Sequence, residues 1–201
     1  MIVKHQGAVP RVDPSAYVAP TAVLCGDVEV GAGARILFGA VLTAEGAPLR
    51  LGKNCVVMEH ALLRASGGRH RQFPLTLADN VVVGPHAHLA GCTIESGVVI
   101  EANAEVQNGA VVQREAVVMQ GGVVTAKTRV PIRIWIPPKH IALGDPLQIY
   151  APSVGEAVLA QWNKLNFNEY VFGLKANEPL APLYAHTLGK HQQDEVLEPQ
   201  T

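Results

Sequence analysis

The stretch VVVGPHAHLAGCTIESGVVIEANAEVQNGAVVQREAVVMQGGVVTAKTRV, residues 81–130, carries a branched aliphatic residue on a beat of six. Val83 and Leu89 begin it, the column shifts by one at Ile94, and Ile100, Val106, Val112, Val118 and Val124 continue it. Toward the N-terminus the same column takes in Val18, Leu24, Val30, Ile36, Leu51, Val57 and Leu77. Four places after each member stands a second column of mostly small residues: Ala22, Val28, Ala34, Ala40, Cys55, Ala61, Val81, Ala87, Thr93, Val98, Ala104, Ala110, Ala116, Gly122 and Thr128. A helix repeats about every 3.6 residues and a plain strand about every 2, so neither accounts for both columns. A hexapeptide β-helix does. Each hexad is then one short strand and one turn, and three hexads close a triangular coil. The large aliphatic fills the axis while the small residue lets the chain turn beside it. One coil cannot bury its own face, so coils must stack, about 4.8 Å apart. A β-sandwich with regular turns is the alternative, but it has no reason to keep two columns from Val18 to Val130.

Gly26-Asp27, Gly31, Gly33, Gly52, Asp79-Asn80 and Asn108-Gly109 stand between the columns and supply turn conformations. Composition agrees with a single aliphatic core. Of 201 residues, 48% are apolar and only 5% aromatic. The net charge of −1 gives no electrostatic footprint for nucleic acid. No segment reaches the apolar length that spans a bilayer. MIVKHQGAVP lacks the apolar run of a signal peptide. Cys25, Cys55 and Cys92 are an odd set at unrelated spacings, which points to reduced thiols and a cytoplasmic location. Cys55 falls in the small column and reads as packing; a catalytic thiol is the alternative at any of the three.

Along the chain, residues 1–17 are expected to lead in as a short strand capping the first coil, and residues 1–150 to form the coil domain. Thr43–Arg50 (TAEGAPLR) departs from the beat as a short bulge. Residues 64–76 (RASGGRHRQFPLT) are too long for a hexad and are expected to protrude as a loop. After Val130 the beat fails, and PIRIWIPPKHIALGDPLQIY, rich in proline, closes the stack. Residues 151–174 are expected to be one helix, with Ser153 as N-cap and Glu156 completing a capping box. Val154, Val158, Leu159, Trp162, Leu165 and Tyr170 would share one face, against the coil wall or a neighbouring subunit. Residues 175–201 have no period and read as an extended or mobile tail.

VAPTAVLCGDVEVGAGA, LGKNCVVMEHALL and NVVVGPHAHLAGCTIESGVVIEANAEVQNGAVV together resemble the γ-class carbonic anhydrases. IPPKHIALGDPLQIY is similar to that family's closing segment. QWNKLNFNEY is similar to the helix of its CaiE and PaaY branch, accessory proteins of carnitine and phenylacetate metabolism. The resemblance implies a left-handed β-helix with a C-terminal helix, in a homotrimer. It also implies zinc held by three histidines between subunits. At the three matching places this chain has Arg64, Pro85 and Ala90. The family's Arg-Gly-Asp reads Thr43-Ala44-Glu45, and its Gln-Asp reads Met58-Glu59. Arginine stays protonated, and proline and alanine side chains have no donor, so zinc chemistry of the family type is not expected.

Three other histidines stand near the vacated places: His60, His86 and His88. His60 follows Val57 by three and His86 follows Val83 by three, so the two should stack one coil apart, with Asn103 continuing the ladder. With Glu59 beside them they could hold a divalent metal such as zinc, or act as an acid-base pair near neutral pH. The plainer reading is a polar ladder at a subunit interface. Arg64, Arg69, His70 and Arg71 make a second candidate, able to grip a phosphate or carboxylate; the plainer reading there is a solvated basic loop. Three functions stay open. One is an accessory or binding trimer whose metal site has decayed, with no cofactor. Another is an altered-site hydrolase or hydratase on His60, His86 and His88. The third is an acyltransferase or thioesterase binding acyl-CoA in the cleft between subunits.

Overall fold

The computed structural model describes residues 1–67, 71–153, 155–175, 178, 179, 181, 182 and 193–197. Short parallel strands stack into a left-handed coil, an exception to the usual right-handed crossover. The first column is the axis: from Leu24 to Val124 every member is buried, and Val18 is half-buried against them. Val18, Ile36, Val57, Val83, Ile100, Val118 and Ile136 lie on one another along one face, in steps of 18, 21, 26, 17, 18 and 18 residues. Eighteen is three plain hexads. The longer steps mark the two departures from the beat, and the step of 17 marks the shift at Ile94.

This first face is a seven-stranded sheet; a sixteen-stranded sheet wraps the other two. Two long strands, Val23–Val30 and Val41–Leu51, run across the edge between the second and third faces. The residues added after Val41 do not leave the sheet. They continue a strand whose register against its neighbour slips between Gly26 and Val28, which is the expected bulge. Of the expected loop 64–76, residues 68–70 lie outside the described residues. Leu62–Gly67 and Gln72–Phe73 pair antiparallel, and Leu75–Leu77 is already back in the coil with Leu75 fully buried.

Three details correct the sequence reading, and a fourth adds to it. Thr93 is exposed, and Cys92 is the buried small residue, because the one-residue shift falls before it. The beat does not fail after Val130: Val130, Ile136 and Ala142 are buried and paired in register with the coil below. Pro131, Pro137 and Pro138 sit between those strands, where no ladder N–H is required. The expected single C-terminal helix is two, α1 (Gly155–Leu165) and α2 (Phe167–Phe172), broken where Asn166 takes a left-handed conformation at φ 44°. Part of the tail joins the sheet: Glu195–Leu197 pairs antiparallel with Ile2–Lys4. Ile2–Lys4 itself lies parallel on the first coil, as the lead-in strand was expected to.

The outward surfaces of the faces differ. The first presents Tyr17, Arg35, Val56, Val82, Val99, Val117 and Trp135 in register, with Trp135 63% exposed. On the second, Arg50 bonds both Asp27 and Glu29 at 2.8 Å, and Arg11 also pairs with Glu29. The third carries Val23, Val41 and Leu62, then His88 and Glu105, then Val123 and Ile141. Among the described residues no helix is long and apolar enough to cross a membrane.

Removing one axial side chain tests the stacking. Ile100→Ala should cost about 2–5 kcal/mol in urea unfolding, the range for a large-to-small change in a core. The exposed Thr93→Ala should stay within about 0.5 kcal/mol. Equal effects at the two positions would contradict an axis filled by the first column.

Candidate functional site

The corner between the first and third faces carries the histidine ladder. His60 and His86 occupy equivalent turn positions, both at φ 57°, as does Asn103. Successive corners are tied by the backbone: His86 N–H donates to the Glu59 carbonyl and Asn103 N–H to the Pro85 carbonyl, each at 3.0 Å. The two imidazoles stack with centroids 5.2 Å apart and planes 14° from parallel. Both rings are exposed. His88 is past the corner, half-buried on the third face between Leu62 and Glu105. A metal binds imidazole through nitrogen lone pairs in the ring plane, so face-to-face stacking does not aim two rings at one ion. Within one chain the donor atoms of His60, His86 and His88 are not gathered within 4.8 Å.

Arg64 lies on the outer side of the third face, in register between Thr43 and Ala90. Its guanidinium donates to Glu45 at 2.5 Å, and the Glu45 side chain is only 10% exposed. Thr43 Oγ1 and Arg64 Nε are buried without a hydrogen-bond partner among the described residues. Pro85 precedes His86 at the corner and is half-buried. Of the basic loop, Arg69 and His70 lie outside the described residues. Arg71 is exposed and stacks over the Tyr170 ring, 4.7 Å from its centroid.

Tyr170 anchors α2 to the coil. Its ring meets Phe73 edge-on at 5.3 Å, and Lys127 Nζ sits 3.9 Å over it. Its hydroxyl fills the space that a side chain at Gly109 would occupy. Arg71, Lys127, Leu165, Asn166, Glu169 and Tyr170 line an open cleft of about 420 Å³. Helix α1 buries no described side chain, and Leu159 is 60% exposed. Of the expected apolar face, Tyr170 packs on the coil, Val158, Trp162 and Leu165 are half-buried, Leu159 stays exposed, and Val154 lies outside the described residues.

Sequence reasoning missed His5 and Asp194. His5 Nδ1 bonds Asp194 Oδ1 at 2.5 Å, and Cys25 Sγ faces Asp194 Oδ2 at 3.9 Å. The donor atoms of His5, Cys25 and Asp194 lie within 4.8 Å of one another. No local pattern announces them, because the histidine and the aspartate are 189 residues apart.

None of the three cysteines is placed for nucleophilic work. Each is buried, and Cys55 Sγ donates to the Ala78 carbonyl at 3.0 Å. Burial, then the charges of Asp194 and Glu45, push the Cys25 thiol up to about 11. Burial also raises Cys55 and drives Cys92 far up from the ordinary 9.0. The folded chain thus keeps protons that the unfolded chain loses. This contribution to stability is whole below pH 9.0 and is lost as pH rises through about 11. The urea midpoint should fall across that window in the metal-free protein. Iodoacetamide at neutral pH should label the three thiols rapidly only in denaturant.

No family model matches the chain. It is 37% identical over 97 residues to mitochondrial γ carbonic anhydrase 3 of Arabidopsis thaliana, covering 47% of this chain and 38% of that protein. It is 35% identical over 124 residues to mitochondrial γ carbonic anhydrase 1 of the same plant, covering 61% of this chain and 45% of that one. The chain therefore spans less than half the length of these relatives. Among solved structures it is similar to a Bacillus cereus protein described as a candidate acetyltransferase, with TM-score 0.60 at 23% identity over 96% of this chain and 98% of that one. That likeness is one of fold. The chain is thus similar in sequence to γ carbonic anhydrases over part of their length, and similar in fold to a solved hexapeptide-coil protein.

Proposed function

We propose that the chain works as a homotrimer of the γ-carbonic-anhydrase type whose ancestral zinc position has been lost, and that it serves as an accessory or binding protein rather than a carbonic anhydrase. The observation that carries this is Arg64. It stands at the first of the three ligand places implied by resemblance, and its guanidinium is paired with Glu45 at 2.5 Å. Pro85 and Ala90 stand at the other two. A fixed positive charge, an imino acid and a methyl do not fit a zinc ion, so no hydration step is derived through one there. The CaiE and PaaY branch and a cytoplasmic location, consistent with three free thiols, belong to the same proposal.

The trimer is supported by the surfaces. Val56, Val82, Val99, Val117 and Trp135 make an apolar outward face, and Val23, Val41 and Leu62 add a second apolar strip on the third face. The His60 and His86 corner lies between them, which suits a polar seam between subunits. Helix α1 leaves Leu159 exposed, which is available to a neighbour.

A second reading rests on the cleft under Tyr170. Arg71 and Lys127 both face it, and two cations beside an aromatic ring suit the phosphates and base of an acyl-CoA. The altered-site hydrolase or hydratase reading, with Glu59, His60, His86 and His88, has no comparable gathering of groups within one chain.

Restoring the ligands tests the main reading. Arg64→His, Pro85→His and Ala90→His combined should gain zinc-dependent CO2 hydration that the parent lacks. Hydration by the parent, abolished by His60→Ala with His86→Ala, would overturn the reading in favour of the altered site. Val99→Glu should convert the trimer to monomer in light scattering; an unchanged mass would remove the first face from the interface. Stabilisation by millimolar acetyl-CoA, lost in Lys127→Ala, would favour the second reading.

A further inference from the structure

We propose that His5, Cys25 and Asp194 form a metal site of the zinc class, separate from the family position, that fastens the C-terminal strand to the first coil. The three come from separate parts of the chain. Cys25 points outward from the first coil, in register with Val3 below and Thr43 above. His5 follows the lead-in strand, and Asp194 precedes the strand Glu195–Leu197 that pairs with it. Each is shielded from solvent: the side chains of His5 and Asp194 are 2% and 16% exposed, and Cys25 is 5% exposed.

The donor set fits zinc in type, charge and spacing. It offers one imidazole nitrogen, one sulfur and one carboxylate, all ligands that zinc takes. A neutral imidazole with a thiolate and a carboxylate cancels a divalent charge. In a tetrahedral site with Zn–S of about 2.3 Å and Zn–O of about 2.0 Å, the sulfur and oxygen stand about 3.5 Å apart. Cys25 Sγ and Asp194 Oδ2 are at 3.9 Å. The His5–Asp194 hydrogen bond, at 2.5 Å, opens by less than about 1 Å when it is exchanged for coordination. The fourth position falls to water.

The surroundings match what a metal-bound histidine and thiolate require. The Gln6 side-chain amide lies 2.8 Å from His5 Nε2. With a metal on Nδ1 the ring proton moves to Nε2, and the carboxamide turns its oxygen to accept it, a second contact that ligating histidines usually make. Thr43, next to Cys25 in register, has a buried hydroxyl without a partner among the described residues. A plain His5–Asp194 hydrogen bond would explain those two residues. The Cys25 thiol also donates to Asp194, so hydrogen bonds alone could tie the three together; what they leave over is the convergence of an imidazole, a thiol and a carboxylate, all shielded from solvent, within 4.8 Å.

The test uses the full chain, stripped with chelator and dialysed against Zn²⁺ or Co²⁺. Expected are about one ion per chain, a cobalt–thiolate charge-transfer band in the near ultraviolet, and a zinc-dependent rise in Tm of a few degrees. Cys25→Ser should abolish the band. Asp194→Asn keeps a hydrogen-bonding oxygen for His5 and should still fold, while weakening zinc by more than the roughly 100-fold upper limit for losing an outer partner. His60→Ala with His86→Ala should change neither readout. Wild-type protein that retains no metal, a band that survives Cys25→Ser, or zinc affinity unchanged in Asp194→Asn would each overturn the proposal. Because the family-position variants at residues 64, 85 and 90 are read by CO2 hydration and these by cobalt absorption, the two proposals fail independently.

Discussion

The whole structure depends on one steric constraint: each side of the coil has room for one branched aliphatic chain and a small neighbour. Leu24, Ile36, Leu63, Leu89, Ile100 and Ile136 are all fully buried, and interiors pack at crystal-like density. An extra methylene anywhere would push a strand off the one below it. Backbone hydrogen bonds run between coils, so a displaced strand loses bonds to both neighbours. Side-chain volume and main-chain pairing are thereby locked together at each level. This is why extra residues go to the edges, at Thr43–Arg50 and after Arg64, and do not interrupt the axis.

The same constraint explains what could be read in advance. The axial column was legible because every coil repeats it, so an error at Thr93 did not hide the pattern. The last coils were missed because prolines at 131, 137 and 138 resemble a breakdown of order, although they sit at corners. The helix break at Asn166 depends on a single backbone conformation that the surrounding WNKLNFNEY does not announce. The histidine ladder was legible because His60 and His86 hold the same place in successive coils. The two exposed rings stack face to face, one coil apart.

Contacts across the chain were not legible. The pairing of Arg64 with Glu45 joins two adjacent strands through a bulge whose length alone does not fix which side chains meet. His5 and Asp194 meet only because a late strand returns to the first one. Tyr170 was visible as part of a helix motif, but its partners Phe73, Gly109 and Lys127 come from separate coils. Periodicity identifies the scaffold, while what makes this scaffold individual lies in its departures from the period.

The third face finishes in an antiparallel strand at both extremes, Glu195–Leu197 against Ile2–Lys4 and Gln148–Tyr150 against Ile141–Leu143. A parallel stack is an open template, since any further strand of the same direction could add to its rim. A strand of opposite sense cannot extend that pattern. At both rims of this face the two segments break the parallel step, the step whose unchecked repetition would let such a fold grow end to end into fibres.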